Sequence, residues 1–87
     1  MKDESYNAIV QRIVLQGKHG PYAVASHERL GDITFSLIPP VWEETDLPEH
    51  GIVVVLSTVR RKRAGWRAYL GRFFQPSDLQ LTQKKEE

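Results

Sequence analysis

Apolar and polar residues alternate with a period of two in several short stretches of the chain, as strands with one buried face require. The clearest is DITFSLI (32–38), where Ile33, Phe35 and Leu37 alternate with Asp32, Thr34 and Ser36. AIVQRIVLQ (8–16) is rich in β-branched residues and half-apolar on both faces, which favours a strand over a helix. GKHGP (17–21) supplies turn residues, YAVAS (22–26) predicts a short strand, and HERLG (27–31) a connection. IVVVLSTV (52–59) is the most apolar run and predicts a central strand or barrel wall. WRAYLGRFF (66–74) predicts the returning strand, with a bulge or bend near Gly71 where Arg72 breaks the apolar set. These patterns place Ile33, Phe35, Leu37, Val53, Val55, Trp66 and Leu70 on core faces.

Between the third and fourth strands, PPVWEETDLPEHG (39–51) carries prolines near both ends, which exclude a long helix or a central strand and leave an acidic loop. The order predicts a small all-β, five-stranded OB-like Greek-key barrel over residues 8–75, with an SH3-like barrel as the alternative. Residues 1–7 are read as an N-terminal extension and 76–87 as a polar tail in which Ser77 or Asp78 could cap a helical turn.

Charge changes the picture more than composition does. The chain has 12 Lys and Arg against 11 Asp and Glu. Six of those cations, Arg60, Arg61, Lys62, Arg63, Arg67 and Arg72, fall within 59–74, where there is no acid and where Trp66, Tyr69, Phe73 and Phe74 also lie. The remaining chain therefore holds six bases against 11 acids, and such an asymmetry steers polyanions to one face despite a net charge of +1.

Eighty-seven residues allow one modest core, which disfavours a deep interdomain cleft, and the absence of cysteine removes disulfides and thiolate metal sites. The N-terminus lacks a secretory pattern and no apolar run approaches membrane-spanning length, so a cytoplasmic monomer with no membrane partner is expected. His19, His27 and His50 share no metal-ligand spacing, GKHG lacks the context of a phosphate loop, and the WEETD acids have no nucleophile or oxyanion donor nearby. No enzyme activity, cofactor or metal is expected.

The order of elements resembles that of the small OB-fold RNA binders, the cold-shock domain and bacterial translation initiation factor one, over roughly residues 8–74. The resemblance rests on GDITFSL as third strand, PEHGIVVVLS as glycine leading into an apolar fourth strand, and a basic hairpin running into GWRAYLGRF. It implies a non-catalytic module that binds single-stranded nucleic acid, RNA in preference to DNA. The stretches matching the cold-shock stacking strands, AIVQRIVLQ and YAVAS, are nearly bare of rings, so the platform is placed on the last hairpin. There Arg67, Tyr69 and Phe73 share one strand parity as a guanidinium and two stacking rings, beside Arg60, Arg61, Lys62 and Arg63 as phosphate partners. The competing reading is that Tyr69 and Phe73 cover an open barrel end while the cations form a solvated turn. Trp42 either plugs the barrel or, as a buried anchor would, docks a protein or ribonucleoprotein partner together with the basic hairpin, which defines an adaptor as the alternative function.

Overall fold

The alternating stretches form five strands: β1 (Ser5–Val14), β2 (Tyr22–His27), β3 (Gly31–Ser36), β4 (Val53–Lys62) and β5 (Gly65–Phe73). The structure, a computed structural model, describes residues 4–79. The strands close in the order β1-β2-β3-β5-β4, with β4 returning to β1. All pairings are antiparallel except β3 with β5, giving an OB-like Greek-key barrel. β1 serves two neighbours: Ser5–Ile9 pair with β4, while Ile9–Val14 pair with β2 across a register shift between Val10 and Arg12. Such a bulge bends a strand enough to turn a barrel corner. β1 begins three residues before the predicted boundary, and Ser5 already pairs with Ser57. The expectations for residues 1–3 and 80–87 lie outside the described residues.

Val10, Ile33, Phe35, Val54 and Leu56 are fully buried at the centre of the core. The predicted interior positions Ile33, Phe35, Leu37 and Val55 are buried, but Val53 is 37% exposed and Trp66 and Leu70 are half-buried. Val53 alternates with the interior Val54 and Leu56, Trp66 packs against the core from its half-buried position, and Leu70 is displaced by a change of strand phase. On β4 the residues packed into the core are Val54, Leu56 and Val59, and on β5 they are Trp66, Ala68, Gly71 and Phe73, so each strand skips one position at the same level. Thr58 sits at that level with a φ of 52°. The left-handed conformation is rare for a β-branched residue, and here it turns the outer half of the hairpin over without changing its pairing.

The acidic loop helps to close the barrel. Pairing of β3 to β5 ends at Phe35 and Ala68, and beyond it residues 41–44 continue along β5. Gly71 N–H donates to Val41 O at 2.8 Å, Glu43 N–H to Gly71 O at 2.9 Å, and Phe73 N–H to the Glu44 carboxylate at 3.1 Å. Trp42 forms the bridge opposite Gly71 and is 2% exposed, its ring against Phe35 and Phe73 and its Nε1–H donating to Asp46 O at 2.8 Å. A Cβ at Gly71 would stand 3.1 Å from Leu56 and 3.2 Å from the Trp42 ring, so a side chain there would have to press one of them aside.

The chain then makes one helical turn, 76–79. Asp78 accepts two hydrogen bonds from Arg72, at 2.9 and 3.2 Å, and one from Gln75 N–H at 2.7 Å, the return half of a capping box. The Arg72 hydrogen bond, then that from Gln75, hold the Asp78 carboxyl below its ordinary value of 3.8. A depressed carboxyl contributes stability that is complete above the unfolded value and lost as pH falls through the folded one. The amide signals of 75–79 should therefore shift toward coil positions as pH falls below 3.8, ahead of the barrel. An Arg72→Gln variant should show the loosened turn already at neutral pH. Loosening that tracks barrel unfolding in both proteins would refute this role.

Candidate nucleic-acid interface

The pleat that buries Ile33 and Phe35 turns the intervening residues of β3 outward, and the register extends this surface across the sheet. Arg12 pairs with Val24, Val24 with Thr34, Thr34 with Arg67, and Arg67 with Arg60. One residue from each of the five strands thus forms a single outward row. A second row beside it joins Val14, Tyr22 and Ser36. Val24, 8% exposed, lies outside the core cluster and forms the floor between the cations.

Two walls rise over these rows. The β1–β2 loop carries Lys18 and His19 at its tip and folds back on Tyr22. A Cβ at Gly17 would lie 2.6 Å from Gly20 O and 3.1 Å from the Tyr22 ring, so the loop backbone approaches the ring as only glycine allows. The opposite wall is the β4–β5 arm. Pairing of β4 with β1 ends at Ser57, whereas its pairing with β5 runs on to Lys62 and Gly65. Arg60, Arg61 and Lys62 therefore belong to the strand, and the turn itself is Arg63 and Ala64.

Between the walls lies a groove of about 490 Å³. Its lining includes Arg12, Lys18, Lys62 and Arg67, with the ring of Tyr22 and no carboxylate; Trp66 borders it but pairs with Arg61 and packs against the core, on the face away from Arg67. Four cations around one concavity, with no acid to offset them, focus a positive potential where ligand backbone would lie.

The structure divides the predicted site. Lys62 and Arg67 line the groove, and Arg60 flanks Arg67. Arg61 lies over Trp66, 5.3 Å from the ring centre, and Arg63 is exposed at the tip. Tyr69 is half-buried and outside the groove, with the Lys62 ammonium 5.6 Å from its ring centre. Phe73 is not on the binding face: the phase change turns it inward, where its ring meets Trp42 edge-on at 5.1 Å. Trp42 is buried as the plug, not displayed as an anchor, so a docking role for its ring is set aside.

Sequence reasoning missed Arg12, Lys18, Tyr22 and Thr34. The signal for the last three was the OB outline itself, which sets the β1–β2 loop and the face of β2 and β3 opposite the β4–β5 hairpin. Of the other histidines, His27 Nδ1 accepts the Arg29 and Leu30 N–H groups at 3.1 and 3.2 Å, fixing the β2–β3 turn, and His50 is exposed in a turn. Compared with protein-family models, curated proteins and solved structures, the chain matches none.

Proposed function

We propose that the chain is a non-catalytic module that binds single-stranded nucleic acid across the outer face of β2, β3 and β5, between the β1–β2 loop and the β4–β5 arm. The observation that carries this reading is the acid-free groove in which four cations meet the Tyr22 ring. Single-strand binders combine these two elements, a positive track for the backbone and ring faces for the bases. An unpaired strand presents base faces that a duplex keeps stacked, and can lay one on Tyr22. Phosphates then meet Arg12 and Lys18 on one side and Lys62 and Arg67 on the other. The contacts are to backbone and ring faces, so little sequence preference follows.

Titration of a short labelled single strand over a range of salt tests this. Three to four phosphate contacts on a single strand give a log–log slope of about −2 to −3, at about −0.7 per contact. Arg12→Gln with Arg67→Gln should flatten the slope by about 1.4, two contacts' worth. A salt-independent interaction with a protein, and no affinity for any oligonucleotide, would replace this reading with the adaptor one.

A further inference from the structure

We infer that Thr34 makes the groove selective for RNA over DNA by hydrogen bonding to a ribose 2′-hydroxyl. The inference rests on the single-strand reading and adds to it the group that distinguishes the sugar. The cations of the groove recognise phosphate and the Tyr22 ring recognises a base face, and both are present in either nucleic acid. A hydroxyl on the floor can read the sugar by both donating to and accepting from its 2′-hydroxyl, and β3 supplies Thr34 and Ser36 there.

These two hydroxyls are not equivalent. Ser36 Oγ accepts the Ile38 N–H at 3.1 Å and helps to fix the end of β3. The Thr34 hydroxyl has no hydrogen-bond partner among the described residues, and no buried side-chain oxygen or nitrogen there is left unpaired. Thr34 Oγ1 is therefore open to the groove, able both to donate and to accept, as is a 2′-hydroxyl.

Its place in the outward row supplies the alignment. Thr34 lies one strand from Arg67 and two from Arg12, with Val24 between. At about 4.8 Å per strand, the two arginines are about 14 Å apart across the sheet, and Thr34 lies between them. A strand whose phosphates are held at both arginines passes one of its intervening sugars, the one nearer Arg67, over Thr34. The neighbours on that path are an apolar side chain and a cation, so a deoxyribose there leaves the hydroxyl unmatched while every phosphate and stacking contact remains.

The test compares short oligouridylate with its deoxyuridylate counterpart, which differ only in the 2′-hydroxyl, by fluorescence anisotropy on the intact protein. The wild type should bind the ribose strand about three- to tenfold more tightly, the worth of a hydrogen bond between neutral groups. Thr34→Val keeps the branched shape and should bring the ribose strand down to the affinity of the deoxy strand, leaving the deoxy strand unchanged. Thr34→Ser should retain the preference, and thermal melts should show that both variants are folded. Equal binding of the two strands by the wild type, or parallel weakening of both by Thr34→Val, overturns the role of Thr34 while the single-strand reading stands. Absence of binding to either strand removes both.

Discussion

Replacing Trp42 by alanine is expected to lower folding stability by about 3–5 kcal/mol, the range for truncating a large buried ring. A domain of this length is stabilised by about 4–13 kcal/mol in total, so one substitution removes a large part of it. The size of the effect follows from how much meets at this side chain. Its ring packs on Phe35 and Phe73, its Nε1–H holds Asp46 O, and its backbone lies in the segment that extends along β5 past the end of β3. Alanine would leave a void against Gly71, which has no side chain to move into it. Urea unfolding measures the loss, and a change below about 1 kcal/mol would mean that the loop is an ornament rather than part of the wall. Trp42 lies away from the groove, so the folded fraction should keep wild-type affinity for a single strand.

Tyr22→Ala and Phe73→Ala should separate stability from binding. Phe73 is half-buried against Trp42, and its truncation should cost roughly 2–3 kcal/mol of folding, below the range for a fully enclosed Phe. Its folded fraction should bind as before. Tyr22 lines the groove, and its loss should weaken binding by about 1–3 kcal/mol for each base it stacks, with the salt slope unchanged because a ring releases no counterion. Anisotropy and thermal melts on the same samples decide the matter. Weakened binding with Phe73→Ala and none with Tyr22→Ala would move the platform back to the end of β5.

Strands were readable wherever one face is buried throughout: β3 shows its interior as Ile33, Phe35 and Leu37, and these positions are buried. The arrangement of the β4–β5 hairpin was not readable, because an alternating pattern presumes constant phase and Thr58 carries no mark of a left-handed backbone. β5 skips a position at the same level, between Ala68 and Gly71, which is why Phe73 points inward although Arg67, six positions earlier, points outward. The cationic hairpin is local in sequence and was visible as a charge cluster. The groove is not local: Arg12, Tyr22, Thr34 and Arg67 come from four strands and meet only through register, which no local pattern encodes. Trp42 was legible as a large ring among prolines, but its partner is a glycine 29 positions away and leaves no apolar signal.

The phase change at Thr58 also sets how this hairpin can drift. Below it the interior of β4 is written in even positions, Val54 and Leu56, and above it in odd ones, beginning with Val59; β5 repeats the reversal between Ala68 and Gly71. A saturation library of the hairpin should therefore show two combs of intolerant positions that are out of step with each other. Losing one residue from a single strand at this level would throw its comb out of register with its partner's. Losing the facing residue as well would restore the pairing but turn the arm over, carrying Arg60 and Arg67 from the groove side to the opposite face. Length at this point of the hairpin thus decides which way a surface looks, whereas a residue added at the tip beyond Lys62 leaves both combs in place.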